Sequence, residues 1–124
     1  MRELTVDLGD RSYPIYIGRG IMNDIVPLFA KNGISASSRI MIVTDETVAA
    51  HYLLPVASLL EQGGYRVAHA VVEAGEKSKS LSVLEEIVTI ALNAGLDRNA
   101  TIVALGGGVV GDLAGFVAAS YMRG

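Results

Sequence analysis

The chain has no cysteine and no tryptophan, and only three prolines, two phenylalanines and five tyrosines among 124 residues. Without cysteine there are no disulfides and no thiolate metal sites, which fits a reducing compartment. Basic blocks are missing too. Ten Lys and Arg stand against thirteen Asp and Glu, and the few aromatics are not interleaved with cations. That balance argues against a general nucleic-acid binder. The N-terminal MRELTVDLGDR carries charge where a secretory signal needs an apolar run, so a cytoplasmic location is expected. Half of the chain is apolar, at 51%, and 19% is charged, which is the balance of a folded domain rather than a disordered one.

Glycine, in contrast, is plentiful at 14 residues, and five of them fall in the most apolar run, ATIVALGGGVVGDLAGFVAAS from Ala100 to Ser120. That run extends far enough toward Met122 to span a bilayer, but a central Asp112 costs about 2.5–3.5 kcal/mol on insertion scales. The glycine triplet would weaken a single helix further. A strand, a turn and a buried helix account for the same residues better.

The rest of the chain alternates two periodicities. Leu4, Val6 and Leu8 alternate with polar residues, Gly9-Asp10 turns, and Tyr13–Ile17 resumes an extended pattern, which predicts a hairpin. Gly20–Ala30 has helical spacing at Ile21, Ile25, Leu28 and Phe29, and ends at Asn32-Gly33. Arg39–Val43, Tyr65–Val72 and Thr101–Leu105 read as core strands. Between them lie helical stripes at Val48, Tyr52, Leu53, Val56 and Leu59, and at Leu81, Leu84, Val88, Ala91 and Leu92. Pro55 is expected to divide the first of these helices into two pieces. Uniformly apolar strands alternating with helices predict an α/β fold, a Rossmann-like parallel sheet flanked by helices with an N-terminal β-hairpin. The chain reaches Ser120-Tyr121-Met122-Arg123-Gly124 straight after an apolar helix, so a fragment of a longer, two-domain protein is expected.

Ligands of an open parallel sheet bind outside the carboxyl ends of its strands, and three polar segments sit at three such ends. The first is Thr44-Asp45, whose acid either reads ribose hydroxyls or caps the following helix. The second is Gly75–Lys79, where Glu76 could accept from ribose hydroxyls and Lys79 could neutralise phosphate; a solvated capping loop is the plain alternative. The third is Gly106–Asp112, which satisfies G-x-G-x-x-G between a strand and a helix. Glycines there let backbone approach a diphosphate held by helix N-terminal amides. A tight strand-to-helix crossover would also use glycine, and Asp112 in a first turn is favourable without any ligand. His51 and His69, the only histidines, stand apart with no acids at ligand spacing and read as packing or surface residues.

In these segments the chain resembles the 3-dehydroquinate synthase family of sugar-phosphate cyclases. The matching stretches are VTDETV, GEKSKS, VALGGGVVGDLAGFVAASYMRG and the opening VDLGDRSYPIYIGRG. The glycine segment is highly specific; the two shorter ones gain force from their order. The resemblance covers the whole chain but only about the amino-terminal third of such an enzyme. It implies that residues 1–124 are an NAD-binding domain. Asp45 would contact the adenosine ribose, Gly75, Glu76 and Lys79 would hold cofactor hydroxyls or phosphates, and Gly107, Gly108, Val109 and Gly111 would lie along the pyrophosphate. Asp112 would sit near the nicotinamide ribose, and Arg123 would reach the phosphate of a phosphorylated sugar acid, apparently across a homodimer contact. No catalytic residue and no metal ligand is expected within this chain; the zinc or cobalt site would lie in the second domain.

The family reaction turns 3-deoxy-D-arabino-heptulosonate 7-phosphate into 3-dehydroquinate and phosphate, in the shikimate pathway to chorismate and the aromatic amino acids. Transient oxidation of a ring alcohol by NAD makes elimination of phosphate possible, and the hydride is returned afterwards. Alone, the 124 residues are expected to be catalytically inert and to bind NAD weakly at best. A related cyclase, half of a metal-dependent alcohol dehydrogenase, or a free-standing nucleotide-binding module stay open as other readings.

Overall fold

The computed structural model describes residues 1–121, which form five strands and four α-helices joined by short 3-10 turns. A hairpin comes first: β1 (Arg2–Val6) pairs antiparallel with β2 (Tyr13–Ile17), turning through a 3-10 segment at Gly9–Arg11. The predicted Gly20–Ala30 helix is a 3-10 turn over Ile21–Asp24 followed by α1 (Ile25–Lys31). Three links tie the hairpin to α1. Lys31 Nζ lies 3.2 Å from Glu3 Oε1, Asn32 Nδ2 donates to the Tyr16 hydroxyl at 3.1 Å, and the Lys31 ammonium stands 5.8 Å from the centre of the Tyr16 ring.

The remaining elements are β3 (Arg39–Asp45), α2 (Glu46–Gln62), β4 (Arg66–Val72), α3 (Leu81–Asn93), β5 (Thr101–Leu105) and α4 (Gly108–Tyr121). Their strands form a parallel sheet in the order β4-β3-β5, as the sequence pattern predicts. Central β3 is buried from Ile40 to Thr44 because both faces are covered. Ile40 and Ile42 point into a core with Leu53, Val56 and Leu60 of α2, while Met41 and Val43 point into another built from α3 and α4. From β3 the chain steps one way to β4, then back across β3 to β5. Right-handed crossovers therefore place α2 and α3 on opposite faces, where these cores put them.

Helix α2 is unbroken, which corrects the expectation for Pro55. Leu53, Val56 and Leu60 are buried on its inner face, and burying a leucine or valine contributes about 1.5–3 kcal/mol. Pro55 sits on the outer face, as does His51, so the carbonyl deprived of its helical donor faces water. Helix packing overrides the local penalty. The long apolar segment is β5 plus α4, and no described helix is long and apolar enough to cross a membrane.

The proline still costs stability, because it removes a bond that alanine would make, and it recovers only part of this by restricting the unfolded chain. Pro55→Ala should raise the unfolding free energy by about 1–2 kcal/mol, read as a higher urea midpoint at unchanged slope.

Candidate functional site

Register places the three polar segments at one edge of the sheet. Asp45 pairs with Val72 and Thr44 with Leu105, so the turn after β3 lies between the loops that follow β4 and β5, with neighbouring strands about 4.8 Å apart. Helix α2 leaves β3 toward one face and α4 leaves β5 toward the other. The strand order reverses here, which is where open α/β sheets hold ligands in a crevice between diverging helices.

The second and third segments touch. Lys79 Nζ lies 2.7 Å from Asp112 Oδ2 in the first turns of α4, and 3.6 Å from Glu76 Oε2. This ion pair joins the loop after β4 to the helix after β5, bridging past the end of β3. Asp112, whose carboxylate bonds it, and the nearby Glu76 hold the Lys79 ammonium above the ordinary lysine pKa. Beside the pair is an open cleft of about 430 Å³, with Ser80, Leu81, Leu84, Leu113 and Phe116 as its further walls.

Asp45 is placed differently. Its Oδ1 accepts from the Val48 amide at 2.8 Å and caps α2, so the capping reading holds for that oxygen. No bond or ion pair joins Asp45 to Lys79 or Asp112 among the described residues; it belongs to the crevice by strand register. Among the described residues, its second carboxylate oxygen makes no side-chain hydrogen bond.

The glycines divide into two kinds. Gly75 and Gly106 are needed by the backbone: Gly75 has φ +106°, and Gly106 has φ +154° with Val110 only 3.0 Å from where a Cβ would stand. Gly107, Gly108 and Gly111 are exposed, and a Cβ on any of them would meet nothing within 4 Å. A tight crossover explains Gly106 and leaves those three without a packing reason. They keep the lip of the crevice low beside the N-terminus of α4, where unpaired amides favour an anion. Val109 is half-buried behind that lip. Arg123 lies outside the described residues. Among those residues, no three potential metal-ligating side chains stand together.

Sequence reasoning missed the interior of these loops. Ser78, within a stretch read as a polar loop, is buried, and the loop contains a 3-10 turn over Glu76–Ser78. The capping expected as the alternative for this loop is present, with Ser80 capping α3 by accepting from the Val83 amide at 3.3 Å. Phe116, read as part of a buried helix, is 55% exposed on the cleft wall. Its spacing from Asp112, one helical turn, was the available signal.

Comparison with known proteins follows the same line. Residues 69–124 match the family described as 3-dehydroquinate synthase N-terminal, and all 124 residues are 45% identical to a 3-dehydroquinate synthase of Desulforamulus reducens. The chain is similar to the amino-terminal part of 3-dehydroquinate synthases. It spans 34% of the Desulforamulus protein, about a third of its length. Two crystal structures of 2-deoxy-scyllo-inosose synthase share the fold at TM-scores of 0.85 and 0.83, each at 22% identity. Each covers 99% of this chain, which in turn covers 34% and 32% of theirs. The second of these was solved with carbaglucose-6-phosphate, NAD+ and Co2+. The α/β fold expected from the sequence and the likeness to the amino-terminal part of 3-dehydroquinate synthases both stand.

The Lys79–Asp112 pair has a definite pH signature. A raised lysine pKa means that its contribution is complete at neutral pH and is lost only as pH rises through the folded-state value, in the alkaline range. Asp112→Asn should bring Lys79 back toward ordinary lysine titration, followed by NMR of its side chain. Because the pair is exposed, the urea midpoint at neutral pH should barely move.

Proposed function

We propose that this chain is the NAD-binding domain, residues 1–124, of a 3-dehydroquinate synthase. The observation that carries the reading is the Lys79–Asp112 contact, which unites two of the three polar segments beside an open glycine lip at the sheet's switch point. The 45% identity along the whole chain points the same way, and a protein of the same fold holds NAD+ in its crystal structure.

The residues suit a dinucleotide. Gly107, Gly108 and Val109 would receive the pyrophosphate at the N-terminus of α4, with Gly111 leaving room one turn further on. Asp45, with one oxygen on its own helix and the other oxygen available, would accept from the adenosine ribose. Glu76 would take a second set of hydroxyls and Asp112 those of the nicotinamide ribose. Gly75 would let the backbone turn close beside them. Lys79, already charged and aimed at Asp112, would neutralise phosphate as a point charge. When bound, NAD supplies reversible hydride removal from a ring alcohol, which acidifies the neighbouring C–H and allows phosphate to leave.

In the complete enzyme the overall reaction would be conversion of 3-deoxy-D-arabino-heptulosonate 7-phosphate to 3-dehydroquinate and phosphate, a lyase step of aromatic biosynthesis in the cytoplasm. Arg123 would contact the phosphorylated substrate, in a homodimer. The described residues do not form a metal site, so zinc or cobalt would be held by the remainder of the enzyme. Assignment to 3-dehydroquinate rather than to another cyclase product rests on sequence identity, 45% against 22% for the inosose synthases.

Two experiments test this reading. Calorimetric titration should show NAD binding, and Gly107→Val should weaken it by more than about tenfold with the urea midpoint unchanged, since a Cβ there meets no protein atom within 4 Å but would stand where the pyrophosphate is proposed to lie. Equal affinity in the variant would contradict the assignment. The 124 residues alone should release no phosphate from the heptulosonate substrate above the buffer rate; turnover would place the catalytic groups within this chain.

A further inference from the structure

Apart from tyrosine, whose ring is largely apolar, the buried polar side chains among the described residues are Thr44 and Ser78. Both stand at the carboxyl edge of the sheet, and each hydroxyl donates to a carbonyl at the stem of a crevice loop. Thr44, fully buried as the penultimate residue of β3, bonds the carbonyl of Leu105 at 2.7 Å, one residue before the glycine segment. Ser78, also buried, bonds the carbonyl of Glu73, where the chain leaves β4, and thereby folds the loop back on itself. Lys79 is the next residue.

Burying a hydroxyl is unfavourable unless it is bonded, and an apolar residue of the same shape would serve a core equally well. Every other buried position of β3 is aliphatic, from Ile40 to Val43. The two hydroxyls of Thr44 and Ser78 stand where loops leave the sheet. We infer that Thr44 and Ser78 are positioning residues. Thr44 fixes the exit of β5, so that Gly106–Gly108 lie across the end of β3. Ser78 fixes the loop after β4, so that the Lys79 ammonium reaches Asp112. Neither hydroxyl touches the cofactor; each acts through the loop it holds. The inference rests on the NAD reading for its consequence on affinity, but not for its consequence on loop order.

The experiment uses Thr44→Val and Ser78→Ala, which remove the hydroxyls, and Thr44→Ser, which keeps one. Amide hydrogen exchange is read at Gly107–Val109 and at Lys79, with Ile42 as the core reference, alongside NAD titration. Thr44→Val should speed exchange at Gly107–Val109 beyond any change at Ile42, and Ser78→Ala should do so at Lys79 and return its side-chain titration toward that of an ordinary lysine. Each removal should weaken NAD binding about fivefold, the equivalent of one hydrogen bond, and Thr44→Ser should restore wild-type affinity. Exchange rising uniformly with the loss of global stability would overturn the inference, whether or not NAD binds. Wild-type binding matched by both removal variants would also overturn it. Absence of binding to the wild-type protein would instead refute the NAD reading, and the exchange data would still decide the roles of the two hydroxyls.

Discussion

Complete burial of β3 on both faces is the constraint on which the rest depends. A strand covered on both sides must be apolar at consecutive positions, as Ile40–Val43 are, and it needs a helix layer above and another below. With β4 on one side of it and β5 on the other, the chain has to reverse direction across it. That reversal sends α2 and α4 to opposite faces and leaves an opening between their N-termini. The crevice follows from the way the core is covered, and the loops then furnish it.

Those furnishings are of two physical kinds. Charge is supplied by Glu76, Lys79 and Asp112, exposed groups whose mutual attraction adds little to stability. Shape is supplied by glycine. Gly106 lets the backbone turn where Val110 crowds it, whereas Gly107, Gly108 and Gly111 border empty space. A Cβ at any of these three positions would meet no other atom within 4 Å, so packing gives them no reason to be glycine. Buried hydroxyls at Thr44 and Ser78 connect the two kinds, holding the glycine segment and the lysine loop to the rigid sheet.

Much of this was legible in the sequence because hydrophobic period carries it. The hairpin, the three parallel strands and the extent of α3 and α4 follow from alternation and helical spacing. Pro55 was misread because local propensity says nothing of which face a residue occupies; on the outer face of α2 its penalty is small enough for the buried stripe to override. Asp45 was open between capping and ligand binding, and the structure spends one of its oxygens on the cap. Ser78 passed for a solvated loop residue because nothing in GEKSKS marks a polar side chain that turns inward. The Lys79–Asp112 contact joins positions 33 residues apart in sequence, a proximity that only the strand order creates.

The most direct test of a single dinucleotide crevice is to map the NAD footprint on the backbone by NMR. The account predicts that perturbations fall together on Asp45, on Gly75–Lys79 and on Gly107–Asp112, and that intermolecular contacts run from the adenosine ribose near Asp45 to the nicotinamide ribose near Asp112. A footprint confined to one of these segments, or centred on the opposite edge of the sheet around Arg39 and Arg66, would contradict it.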